Sequence, residues 1–183
     1  MKKIGIFMAD GCEEIEGLTV VDILRRAGIG IDMISIMGSR QVTGSHGISF
    51  SCDIMAEEAD YAGYDGLVLP GGMPGTTNLG ANATVTTQIK EFARTGKLVA
   101  AICAAPSVLG DEGILQGKKA TCYPGFEDRL TGAETTTDRV VRDGNVITSR
   151  GMGTAIYFAL AITEYLTDTK TAEDIRMGII CAE

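Results

Sequence analysis

One cysteine in this chain stands where a reactive thiol would be placed. Cys103 ends the apolar run of KLVAAICAAP, and small residues and Pro106 follow at once. The run has the length of a buried parallel strand, and a proline suits the first turn of a helix. A cysteine at such a turn faces the unpaired N–H groups and the positive dipole end of the helix, which favours its thiolate. A thiolate attacks carbonyls and peroxides, so Cys103 is the candidate nucleophile. Gly71 and Gly72 follow a second apolar run, in VLPGGMPG. Glycines there let the backbone approach a ligand, and the N–H groups of Gly71, Gly72 and Ala104 can form an oxyanion hole beside the sulfur.

The candidate proton carrier is a carboxyl. Glu13, Glu14 and Glu16 cluster where the first helix should begin. Acidic residues complement the dipole there, which accounts for Glu13 and Glu14. Glu16 lies next to the apolar face and is placed to turn inward. A buried carboxyl near a thiolate has a raised pKa and keeps a proton for the sulfur. The sign matters, because an ionised Glu16 raises the Cys103 pKa and a protonated one lowers it. With histidine scarce, Glu16 is also the candidate general acid and base.

Several other chemistries are excluded. The chain has one histidine, His46, in TGSHGIS between two short strand patterns, where a turn or interface residue is expected. Cys–His dyads, Ser–His–Asp triads and multi-histidine metal sites all need histidine. GxSxG, GxGxxG and a P-loop are absent, and so is CxxC among the five cysteines. The motifs imply neither a cofactor nor a metal. At net charge −8 with no basic patch, nucleic acid and anionic membrane surfaces are disfavoured as partners. No apolar run is long enough to span a bilayer, and the odd, scattered cysteines suit a reducing, cytoplasmic setting.

Alternating strands and helices must position these groups. Residues 1–183 read as a single α/β domain. Strands are expected at Lys3–Met8, Ile31–Met37, Gly66–Leu69 and Leu98–Ile102, with a decorating hairpin over Gln41–Cys52. Helices are expected at Glu14–Ala27, Thr84–Arg94 with Asn82 or Thr84 as cap, from Pro106, at Thr154–Leu166, and at Thr171–Met177 capped by Thr171. Lys119–Thr121, Arg139–Arg142 and Val146–Ser149 are further short strands. Fully apolar strands alternating with helices predict a mostly parallel sheet covered by helices on both faces. Asp10–Glu16, Gly71–Gly75 and Cys103–Pro106 all follow strands, so they should meet at the carboxyl edge of that sheet.

MADGCEEIEGLTVVDILRRAG, VLPGGMPG, AAICAAP and TSRGMGTAIYFALAI together resemble, in order and over the whole chain, the ThiJ/PfpI superfamily. The branch is that of the parkinsonism-associated protein deglycase and its bacterial relatives. The resemblance implies a flavodoxin-like three-layer sandwich and a homodimer formed around Gly17–Arg26, including Val21, and around Gly44–Ile48, including His46. It implies that Cys103 is the oxidation-prone nucleophile, Glu16 its carboxyl partner, and Gly72 and Ala104 backbone donors to an oxyanion. Members with a histidine directly after the nucleophile act as Cys–His hydrolases. Ala104 stands there, which disfavours protease chemistry. Where the human-type member has a histidine before a proline, this chain has Tyr123, a candidate pocket residue.

The expectation is a cysteine-dependent enzyme acting on small aldehydes or glycated amines and thiols, a deglycase or glutathione-independent glyoxalase in stress defence. Two alternatives share the site. One is a redox-sensing chaperone whose Cys103 oxidises to a sulfinic acid. The other is the thiazole-biosynthesis role such proteins are often labelled with, for which no residue speaks.

Overall fold

Apolar side chains alternate across each central strand, so both faces need cover. The computed structural model, which describes Met1–Ala182, supplies that cover. The chain begins β1 (Lys3–Met8), α1 (Glu14–Arg26), β2 (Gly30–Ser35), β3 (Gln41–Thr43), β4 (Ser49–Ser51) and β5 (Ile54–Met55). It continues through β6 (Gly66–Leu69), α2 (Gly75–Ala81), α3 (Ala83–Arg94), β7 (Leu98–Ile102), α4 (Pro106–Asp111), β8 (Lys119–Ala120) and β9 (Glu134–Thr135). It closes with β10 (Val140–Asp143), β11 (Val146–Ser149), α5 (Ala155–Leu166) and α6 (Thr169–Gly178).

The main sheet runs β10-β11-β7-β6-β1-β2-β5, parallel except for the β10–β11 pair. Setting aside the two-residue β5, the parallel strands counted in chain order read 2-1-3-4-5, the flavodoxin-like order. Ile4, Ile6, Met8, Val68, Leu98, Ala100 and Ile102 pack on one face against α1 and α5. Phe7, Leu67, Leu69, Val99 and Ala101 pack on the other against α3 and α4. The sheet is therefore the middle layer of an α/β sandwich.

Local departures from expectation have local causes. α2 was not expected, because GTTNLGA is poor in helix formers. Tertiary contacts hold it instead: the Asn78 side-chain amide donates to the Asp10 carbonyl at 2.9 Å, and Leu79 is fully buried. α6 begins earlier than expected because Asp168, rather than Thr171, is its cap, accepting from the Thr171 N–H at 2.7 Å. Asn82 caps α3 through the N–H groups of Thr84 and Val85. β8 leaves the main sheet and pairs with β9. The hairpin β3–β4 is a separate ribbon laid beside α1. Among the described residues no helix is long and apolar enough to cross a membrane.

Candidate active site

The topological switch point lies between β1 and β6, where strand order reverses and loops diverge. The loops after β1, β6 and β7 knit together there. Glu13 N–H donates to the Gly71 carbonyl at 2.9 Å, and Gly75 N–H to the Gly11 carbonyl at 3.0 Å. A Cβ on Gly72, whose φ is +86°, would lie 2.2 Å from the Glu13 nitrogen. Only glycine permits this approach.

Cys103 is one residue past β7, at φ +65°. A non-glycine residue held there carries about 1–3 kcal/mol of strain, stable only when its surroundings fix it. Two backbone bonds do so: Cys103 N–H donates to the Ser149 carbonyl at 3.0 Å, and its carbonyl accepts from Tyr123 N–H at 2.8 Å. The sharp strand-to-helix turn points the half-buried thiol toward Glu16.

Glu16 is buried, at 1% exposure. Its Oε2 accepts from the Gly71 N–H at 2.9 Å, and its Oε1 is buried with no hydrogen-bond partner. A Cβ on Gly71 would fall 2.5 Å from the Cys103 Cβ and 2.6 Å from Glu16 Oε2. The same N–H corrects the expected oxyanion hole, because Gly71 serves Glu16 and is not free for a substrate oxygen. The Gly72 and Ala104 N–H groups do act on the sulfur, pulling the thiol's pKa down.

Burial pushes the Glu16 carboxyl up to about 7, against the pull of its hydrogen bonds to Cys103 and Gly71. The expected rise is therefore present. The expected bias of Cys103 toward thiolate is not. Burial first, then the charge of Glu16 and the hydrogen bond to it, push the thiol up to about 12, and the Gly72 and Ala104 N–H groups only partly offset this. α4 is a six-residue helix, too short to outweigh desolvation. Two anions cannot share this space, so the pair releases one proton near neutrality and retains the other. Basicity does not single out Cys103, since burial pushes Cys12 and Cys52 up to about 12 as well. What distinguishes it is the strained turn and the carboxyl partner.

Tyr123 is half-exposed at the mouth of the site. A Cβ on Gly151 would touch Tyr123 Cδ2 at 3.4 Å and lie 3.9 Å from Glu16 Oε1. Gly151 therefore keeps open the space between the tyrosine ring and the unpartnered oxygen. Sequence reasoning gave Gly151 and the Ser149 carbonyl no role. Both follow the strand-end rule, since β11 is the next parallel strand along the same edge.

Gly17 and Val21, expected at a dimer contact, face inward. Gly17 packs against Met8 and Pro70, and Val21 joins the core. The residues of α1 left exposed or half-buried are Ile15, Leu18, Thr19, Asp22, Arg25 and Arg26. His46 is exposed on the β3–β4 turn, with its Nδ1 3.2 Å from carboxylate oxygens of both Glu13 and Glu14.

A sandwich with flavodoxin-like strand order and a strained strand-end cysteine beside a buried glutamate defines a small group of α/β proteins. Residues 2–165 match the DJ-1/PfpI family model, and the chain belongs to that family. It is 36% identical to protein dj-1beta of Drosophila melanogaster over 179 residues, covering 97% of this chain and 96% of that one. It is 34% identical to a deglycase of Thermococcus kodakarensis over 154 residues, covering 82% of this chain and 91% of that one. The solved structure of oxidised Toxoplasma gondii DJ-1 superposes with a TM-score of 0.96 at 35% identity, covering all of both chains.

Proposed function

We propose that this protein is a cysteine-dependent enzyme acting on small reactive carbonyls, converting methylglyoxal to lactate or releasing amines and thiols from their glycated adducts. The observation that carries the reading is Glu16 Oε1, a buried acceptor without a partner, on a carboxyl that hydrogen-bonds the thiol. An orphaned buried oxygen is costly to keep, and a proton in transit from sulfur or substrate satisfies it.

The step order follows from the geometry. Cys103 Sγ bonds to the aldehyde carbon as its proton passes to Glu16, and the carbonyl pair moves to oxygen beside the Gly72 and Ala104 N–H groups. The oxygen takes that proton back from Glu16, giving a hemithioacetal and leaving Glu16 ionised. Glu16 then removes the proton from the sulfur-bearing carbon and returns it to the neighbouring carbon, while the hydroxyl proton passes to the neighbouring carbonyl oxygen, leaving a thioester. Water cleaves the thioester, releasing lactate and restoring the thiol. No histidine is needed, which fits Tyr123 at the mouth. The deglycase among the relatives supports the substrate class.

Lactate formation from methylglyoxal, followed by proton NMR, tests this directly. The wild-type protein should form lactate, and Cys103→Ala and Glu16→Gln should not. Turnover retained in Cys103→Ala overturns the reading.

A second reading is favoured by the oxidised form of the Toxoplasma relative. In this reading the protein is a redox-sensing chaperone whose Cys103 becomes a sulfinate held by the Glu16 carboxyl and the same N–H groups. Peroxide treatment and intact mass decide it: Cys103 should gain two oxygens before any other cysteine, and its failure to do so removes the reading. For either role we propose a homodimer. Outward-facing Ile15 and Leu18 on α1 and exposed Ile156 on α5 line one shallow apolar groove of the kind that self-association covers.

A further inference from the structure

We infer that Glu13, Glu14 and His46 form a binding site for a zinc-class divalent ion, separate from the Cys103–Glu16 site. Glu13 Oε2 and Glu14 Oε2 each lie 3.2 Å from the same ring nitrogen, His46 Nδ1. All three atoms fall within 4.8 Å of one another. Ser45 Oγ is a fourth oxygen, 3.1 Å from that nitrogen. A ring nitrogen carries at most one hydrogen, so it cannot serve both carboxylates fully, and the Ser45 hydroxyl can either donate to it or accept from it. Lone pairs from two carboxylates and an imidazole thus lie close enough together to share one cation.

The spacing suits tetrahedral coordination. Metal–ligand bonds of about 2.0–2.1 Å place neighbouring ligand atoms about 3.3–3.4 Å apart. The observed 3.2 Å contacts need only a small expansion. A nitrogen and carboxylate donor set suits zinc rather than the all-oxygen preference of calcium or magnesium.

The site is also built from behind. Glu14 Oε1 accepts from the backbone N–H groups of His46 at 2.9 Å and Ile48 at 3.3 Å, which leaves Oε2 to face the ring. Glu13 divides its oxygens in the same way, with Oε1 accepting from the Ile15 N–H at 3.4 Å. A Cβ on Gly44 would fall 2.2 Å from the Glu14 carboxyl carbon, so the hairpin closes directly on it. Such supporting bonds orient metal ligands before the metal arrives. Glu14 is buried at 1% exposure, while the His46 ring is open to solvent and gives the ion its entry. The ion would bridge α1 to the β3–β4 turn, with Ser45 or water as the fourth ligand.

The test is Zn2+ titration by calorimetry on the full chain carrying Cys103→Ser, which removes the reactive thiol as a competing ligand. One equivalent should bind. His46→Ala, at an exposed position, and Glu13→Gln, which keeps an acceptor for Ile15, should each weaken binding at least tenfold while circular dichroism stays unchanged. Co2+ in the same protein should give d–d absorption without thiolate charge transfer. Absent binding, affinity retained in either variant, or a thiolate band overturns the site. Each of these results is independent of whether the protein turns over methylglyoxal.

Discussion

Glu14 and Glu16 lie two residues apart on one helix, and each is 1% exposed, yet their carboxyls shift in opposite directions. Burial pushes both upward. At Glu14 the push is outweighed by hydrogen bonds from its own N–H, from the His46 N–H and side chain, and from the Ile48 N–H. At Glu16 the thiol and one backbone N–H are the only donors among the described residues, Oε1 has none there, and the carboxyl rises to about 7. Donor supply, not depth, decides the charge state. The helix thus begins with one glutamate fixed as an anion that ties down the hairpin. Two residues on, on nearly the opposite face, it carries another that is poised to exchange a proton at neutral pH.

The largest effect should come from removing the second carboxyl. Glu16→Gln should lower kcat/KM for methylglyoxal at least about a hundredfold, the scale of lost acid–base catalysis. The same change should stabilise the protein at neutral and higher pH. A carboxyl raised from 4.5 to about 7 makes the folded state hold its proton more tightly than the unfolded state. Stability is therefore full below pH 4.5 and falls as pH climbs through 7, by about 3 kcal/mol in all. Glutamine removes that slope, which urea denaturation across pH 4–9 would read. If the variant shows the same slope, Glu16 is not the raised group.

Removing the first carboxyl should act in the opposite sense. Glu14→Ala strands the N–H donors of the hairpin turn and should cost about 2–3 kcal/mol in denaturation at pH 7. A smaller loss than that of a surface substitution would show that the hairpin does not depend on it. Gly71→Ala sharpens the comparison from the other side of the site. Its Cβ would fall 2.5 Å from the Cys103 Cβ and 2.6 Å from Glu16 Oε2, and relieving that crowding should cost about 1–3 kcal/mol along with most of the turnover. Tyr123→Phe should change kcat/KM by less than about threefold, because the proposed steps use the Glu16 carboxyl rather than the phenol. A larger loss would make Tyr123 a hydrogen-bond donor to the substrate.

The layers of this fold were legible because strand and helix patterns switch cleanly. KIGIFM and LVAAI read as buried strands, and EIEGLTVVDILRR reads as an amphipathic helix. α2 was not legible, because its stability lies in contacts to the Asp10 loop rather than in GTTNLGA itself. Cys103 and Glu16 were legible as a pair, since strand ends converge on one edge. The division of labour between the Gly71 and Gly72 N–H groups was not, because it depends on where Glu16 Oε2 comes to rest. Nor was the thiol's direction of shift, which follows from how much protein surrounds the sulfur. Glu14 and His46 are 32 residues apart, and only the return of the hairpin onto α1 joins them.

The charge state of Glu16 decides whether Cys103 has a proton partner at neutral pH. NMR titration of the protein carrying 13C-labelled glutamate, with Glu16→Gln assigning the resonance, would read that state directly. The Glu16 carboxyl carbon should titrate with a midpoint near 7 and should move when Cys103 is replaced by alanine. A midpoint in the ordinary glutamate range, about 4.3, would contradict the proton-sharing pair and the chemistry built on it.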